Sequence, residues 1–221
     1  MSKGNDMNAE TSSNAVTVDD MLMRKAVFEF LSAAYLNEMS LDFLEGLKRD
    51  PVEFEGELGE FVASLAEADL EAVRTDLAAE YARVFLGMSP SPVAPYESVY
   101  ASELHILMQE PRDQVLKEYR AEGLAVAKEL RLPEDHIAFE FAFMAHMCQK
   151  AADALDSGDQ IEARRCLAKQ RAFLEDHLLN WVSELCVDVA KRAHTSFYRG
   201  VAQLTEACLE TDRAYLAACA A

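Results

Sequence analysis

Residues 81–100 read Tyr-Ala-Arg-Val-Phe-Leu-Gly-Met-Ser-Pro-Ser-Pro-Val-Ala-Pro-Tyr-Glu-Ser-Val-Tyr, and they spend three of the chain's six prolines in one short segment. Just before it, Leu70, Val73, Leu77, Tyr81 and Val84 step by three or four residues, the spacing of one helical face. The stretch therefore begins on the last turns of a helix and runs into a loop that proline keeps out of helical conformation. Tyr81, Val84 and Phe85 are expected to share an apolar patch near that helix end. A loop this rigid and aromatic is suited to presenting a surface.

On both sides the pattern stays helical. Residues 18–36 place Met23, Val27, Phe30, Leu31 and Ala34 on one face behind Asp19 and Asp20 as caps, and shorter helices are expected after Ser40 and Pro51. After the loop, Ser98 is expected to cap a helix carrying Leu104, Leu107 and Met108, and Pro111 to open another that reaches about Leu130. Pro133 forces a break. From Asp135 to about Leu155, one face carries Ile137, Phe141, Met144, Cys148 and Leu155, while Phe139, Phe143 and Met147 cover another. A helix apolar on most sides belongs at the centre of a bundle. Ile161–Val189 repeats Leu167, Leu174, Leu178, Trp181, Leu185 and Val189, and a last helix repeats Phe197, Val201, Leu204, Cys208 and Tyr215. No stretch alternates as a strand does, and no internal repeat is visible.

The expected architecture is all-α: a single globular bundle of roughly ten helices over residues 18–221. Its N-terminal half would be residues 18–130 and its C-terminal half residues 135–221. Residues 131–134 form a hinge-like break, and short hinges invite exchange of halves between chains. Residues 1–17, polar and rich in Ser, Asn and Thr, read as a disordered tail.

With 221 residues, 51% of them hydrophobic, the chain can bury one sizeable core or two small ones. A net charge of -18 argues against nucleic acid or an anionic membrane surface as partner, because both are bound through basic patches. Between Glu53 and Glu80, nine acidic residues stand against Arg74 alone. Such a run is either a solvated face or a field suited to a cationic partner. The five cysteines, 148, 166, 186, 208 and 219, include no Cys-x-x-Cys pair and suggest neither a disulfide framework nor a zinc site. Residues 1–17 lack the apolar core of an export signal, and the longest apolar stretch, Ile137–Cys148, is too short to span a membrane. A reducing, cytoplasmic setting is the expectation.

Enzyme signatures are missing. A carboxylate-bridged dimetal site on helices needs Glu-x-x-His twice, and the residues three before the five histidines are Ser102, Pro133, Phe143, Leu174 and Lys191. Neither a Gly-x-x-x-x-Gly-Lys-Ser/Thr phosphate loop nor a Gly-x-Ser-x-Gly elbow occurs. No catalytic role, metal or cofactor is expected.

Three ordered motifs are similar to those of the TorD/DmsD family of chaperones. Tyr81, Val84, Phe85, Gly87, Pro95 and Ser98-Val99-Tyr100 resemble its aromatic-x-x-Leu-Phe, Gly-Pro, Pro, Ser-Val-Tyr signature. Leu132-Pro133-Glu134-Asp135-His136 resembles its Glu-Pro-x-Asp-His, with Leu132 in place of the Glu. Phe173, His177 and Trp181 resemble its Phe-x-x-x-His-Leu-x-x-Trp helix. The family's members are cytoplasmic chaperones that mature molybdenum-containing redox enzymes and recognise their twin-arginine signal peptides. The resemblance implies a peptide-binding site at Tyr81, Val84, Phe85, Pro95, Tyr96, Asp135 and His136. Val84 stands where leucine is commoner, and Tyr96 where a tryptophan often follows the proline.

In that reading an apolar patch buries the middle of the peptide while carboxylates such as Asp135 pair with its arginines. Asp135 is equally suited to capping the helix that follows it. His177 and Trp181, one turn apart, read as core packing with a satisfied imidazole. The implied partners are the catalytic subunit of a molybdopterin oxidoreductase, through its signal peptide or its apo body, together with the twin-arginine translocase or cofactor-biosynthesis proteins; the implied setting is anaerobic respiration. The expected state is a monomer with some exchanged dimer. Alternatives are a nitrate-reductase-type assembly chaperone for a client that is not exported and, more remotely, a metal- or nucleotide-binding helical enzyme.

Overall fold

Phe139, Phe141, Phe143, Met144, Met147 and Cys148 leave the helix Ile137–Asp156 almost no polar side, and they are all buried in the computed structural model, which describes residues 16–219. This helix is α7 in an order of ten α-helices among the described residues. Before it come α1 (Val18–Leu36), α2 (Leu41–Arg49), α3 (Gly56–Ser64), α4 (Leu70–Phe85), α5 (Glu97–Ala101) and α6 (Glu110–Ala121). After it come α8 (Gln160–Phe173), α9 (Val182–Arg192) and α10 (Ser196–Cys219). No strand occurs among the described residues; a single antiparallel bridge joins Tyr96 to His136. The expected disordered tail lies outside the described residues except for Val16 and Thr17.

Helix α1 lies along α7, α8 covers another side of α7, and α10 packs on α3 and α9. Ser32 Oγ donates to the carbonyl of Ala138 at 2.7 Å, tying α1 to the start of α7. Nearer the other end of α1, Arg24 donates to both carboxylate oxygens of Asp212 in α10, at 2.5 and 2.8 Å. Both partners are largely buried, so removing either would strand a charge in the interior. These contacts interleave residues from before and after position 131 in one continuous core.

Several helix ends differ from the sequence expectation. Thr17, not Asp19 or Asp20, caps α1: its hydroxyl accepts from Asp20 N–H and the Asp20 carboxylate accepts from Thr17 N–H, a reciprocal capping box. Leu31 and Ala34 of the expected face are buried, but Met23 is 65% exposed, and Met21, Phe28 and Tyr35 complete the buried side. Ser40 does cap α2. The helix expected after Ser98 ends at Ala101. Leu104, Leu107 and Met108 lie exposed in the loop beyond it, where His105 and Met108 adopt left-handed backbone conformations.

Helix α6 stops at Ala121 rather than Leu130. Gly123, at φ +76°, takes the left-handed conformation that closes a helix, its N–H donating to Arg120 O while Leu124 N–H donates to Tyr119 O. The helix expected over Ile161–Val189 is two helices joined by a wide turn at residues 174–178, where Leu179 N–H reaches back to Leu174 O. Ile161 is 84% exposed. Cysteines 148, 166 and 186 are buried, 208 and 219 are half-buried, and all five are free thiols. Among the described residues, no helix is long and apolar enough to cross a membrane.

The α3–α10 crossing depends on Gly200, where an added Cβ would fall 2.4 Å from Leu58 N and 2.7 Å from Leu58 Cα. Gly200→Ala is expected to cost about 3 kcal/mol of stability through backbone displacement, read as a lower urea midpoint at unchanged slope.

Candidate functional site

The proline loop is pinned in two places. Val93 N–H donates to Val84 O at 2.7 Å, folding the loop back on the end of α4. From the far side of the Pro133 break, Ile137 N–H donates to Pro95 O and Asp135 O accepts Glu97 N–H, both at 3.0 Å, making the Tyr96–His136 bridge. Asp135 completes the junction: its Oδ2 accepts Ser98 N–H at 2.8 Å, so it caps α5 and not the helix that follows it. His136 caps α7 instead, its Nδ1 accepting Ala138 N–H at 3.1 Å. That acceptor role needs a neutral imidazole, and burial holds the His136 pKa down at about 4. In the first turn of α5, the Ser98 hydroxyl accepts Gln109 N–H and so ties α5 to the start of α6, while Tyr100 stacks on Trp181 at 5.5 Å.

The junction walls a pocket of about 470 Å³. Five of the seven residues singled out from sequence line it: Tyr81, Phe85, Pro95, Tyr96 and His136. Phe85 centres an aromatic cluster, with ring centroids 5.3 Å from Tyr81, 5.8 Å from Tyr198 and 5.9 Å from Tyr35. The Tyr81 hydroxyl donates to Tyr35 O at 3.1 Å. Burial, and then the fields of Tyr96 and Glu38, push its pKa up to about 12. Tyr96 meets His136 edge to face at 5.0 Å.

The other two candidates do not reach the pocket. Val84 is fully buried behind it, and Asp135 is fully buried with its carboxylate turned to Ser98, so an arginine in the pocket meets no Asp135 oxygen in this arrangement. Leu36, Asn37, Glu38, Leu86 and Leu132 complete the lining, and sequence reasoning did not place them there. The first three sit at the end of α1 and just beyond it, and share no motif with residues 81–100. A second, apolar pocket of about 250 Å³ lies between residues 124–130 and α7; it offers His146 but no carboxylate.

Behind the junction, three carboxyl groups crowd the interior. Glu97 is met by His177 Nδ1 at 3.1 and 3.3 Å, which satisfies the imidazole, and His177 packs on Phe173 at 4.8 Å. Glu140 is fully buried and neither of its oxygens has a hydrogen-bond partner among the described residues; Asp135 Oδ1 has none either. Burial, reinforced by the fields of Glu97 and Asp135, raises the Glu140 pKa well above the ordinary carboxyl value, so the fold favours its protonated form. No cluster of three or more His, Cys, Asp or Glu residues among those described is placed to hold a metal ion.

These groups set the pH dependence of stability. Glu140 binds its proton more tightly folded than unfolded, so its contribution is fully present below the unfolded pKa and is lost as pH rises through the folded one. Glu140→Gln is therefore expected to raise Tm at pH 8 and to lose that advantage toward pH 4.5, measured by thermal unfolding across the range. His136 acts oppositely: stability falls as pH drops from about 6.5 toward 4, because the unfolded imidazole takes the proton first.

The family model described as "Nitrate reductase delta subunit" matches residues 52–187. The chain is 31% identical to "Chaperone protein TorD" of Photobacterium profundum over 208 residues, covering 90% of each chain. It is 27% identical to the protein of that name from Vibrio parahaemolyticus, covering 87% of this chain and 94% of the relative. To that from Shewanella pealeana it is 24% identical, over 88% and 90%. The three motifs, the helical bundle and these near full-length matches agree: the chain belongs to the TorD/DmsD family, whose members are chaperones rather than enzymes.

Proposed function

We propose that this chain is a cytoplasmic chaperone that binds the twin-arginine signal peptide of a molybdopterin oxidoreductase catalytic subunit, and its apo body, withholding it from export until the cofactor is inserted. The observation that carries this reading is the pocket at the Tyr96–His136 junction, aromatic and aliphatic on its walls, with a carboxylate at its edge. Its volume of about 470 Å³ accommodates a few side chains, not a folded domain. An apolar peptide segment would bury against Phe85, Tyr81 and Leu132, while the carboxylate in the lining favours a basic peptide start. Handover to the translocase requires release, which suits a shallow site on a loop. The halves 18–130 and 135–221 are proposed to exchange between chains about residues 131–134, giving a monomer with some dimer; Arg131 there holds a left-handed backbone conformation.

A second reading is favoured by the description of the matching family model: an assembly chaperone for a nitrate-reductase-type client that stays in the cytoplasm. Calorimetric titration separates the two. The expected result is binding of twin-arginine signal peptides from molybdoenzymes encoded beside the gene, weakened about tenfold by Phe85→Ala, since truncating a buried aromatic anchor costs roughly 1–2 kcal/mol. Failure of every such peptide, with retained binding of the mature apo-enzyme, would replace the export reading with the assembly reading.

A further inference from the structure

The peptide-binding reading leaves open which carboxylate receives an arginine. Near the pocket, most acidic side chains are already engaged. Asp135 is buried on Ser98 N–H, and Glu97 on His177. Glu80 holds Arg83 at 2.8 Å and caps the turn before α10 through Thr195 N–H at 3.0 Å. Glu134 pairs with Arg112 at 2.6 Å. Glu38 differs: it lines the pocket, is exposed, and has no hydrogen-bond or ion-pair partner among the described residues.

The position of Glu38 concentrates negative potential. It stands two residues beyond the end of α1, where the aligned peptide dipoles leave partial negative charge. No basic residue in the last turn of α1 offsets it. Tyr81, Tyr96 and Phe85 line the same pocket, so a guanidinium there can stack on an aromatic face while its N–H groups meet the carboxylate. A lysine ammonium offers neither the planar face nor the paired donors.

Resting on the signal-peptide reading above, we infer that Glu38 is the arginine acceptor of this pocket and the residue that sets its preference for arginine over lysine. Asp135, by contrast, positions the pocket wall and touches no peptide.

The test is calorimetry on the full chain, titrating one twin-arginine signal peptide and its double-lysine counterpart into wild type, Glu38→Gln and Glu38→Asp. For an exposed carboxylate and a charge-assisted pair, Glu38→Gln should weaken the arginine peptide roughly five- to tenfold. It should leave the lysine peptide nearly unchanged, so that discrimination collapses; Glu38→Asp should retain part of it. The salt dependence of arginine-peptide binding should flatten in Glu38→Gln. Unchanged circular dichroism and Tm are expected at this exposed site, so lost binding would not reflect unfolding. If wild type binds the arginine peptide and Glu38→Gln keeps both its affinity and its discrimination, the assignment of Glu38 is overturned while the peptide reading stands. If wild type binds neither peptide, the underlying reading fails and the assignment with it.

Discussion

The Asp135 carboxylate accepting Ser98 N–H at 2.8 Å, wholly out of solvent, is the interaction on which the candidate site depends. A proline loop has few backbone donors with which to fix itself, and here the fixing comes from across the chain. Asp135 supplies a main-chain acceptor to Glu97 and a side-chain acceptor to Ser98, while Pro95 receives Ile137 N–H. Tyr96 and His136 are thereby held against each other as parts of one wall. The dry surroundings make loss of this bond costlier than loss of a solvated one, because the stranded donor would find no water.

This arrangement explains an interior that looks unfavourable on its own. Glu97, Asp135 and Glu140 lie close enough for their fields to act on one another, with one imidazole among them. Asp135 and Glu97 are used in hydrogen bonds, whereas Glu140 has none among the described residues, and its complete burial favours its protonated form. Acidic groups at the surface act differently. Glu38 remains solvated beside an apolar pocket, so its charge stays available to an incoming cation. The chain thus separates carboxylates that shape the site from one suited to recognition.

Much of the fold was legible because long apolar periodicities have one physical solution. The helices α1, α4, α7 and α10 follow the spacings of Leu31, Leu77, Phe141 and Val201. The misreadings fall where a short-range signal competes with periodicity. Ser98 looked like an N-cap but spends its hydroxyl on Gln109, leaving Leu104, Leu107 and Met108 in a loop. Gly123 ended α6 early through its left-handed conformation, a signal that was present and unused. The wide turn after Phe173 could not be read, because Leu174, Leu178 and Trp181 keep a helical spacing across it. At the site, the aromatic and proline stretch led to four pocket residues and the Asp135-His136 motif to a fifth, His136, whereas the cap of α7 fell to His136 and Asp135 went to α5. Glu38 had no local signature at all; only the tertiary approach of the end of α1 to the end of α4 makes it a neighbour of Tyr81.

The central claim is that the loop around Tyr96 and the segment around His136 act as one peptide-binding element. Hydrogen–deuterium exchange with and without a twin-arginine signal peptide tests it most directly. The account predicts that amides in residues 93–99 and 131–138 gain protection together, along with those beside Glu38 and Phe85. Protection confined to residues 124–130 and 139–146, around the second pocket, with no change at the junction, would contradict it.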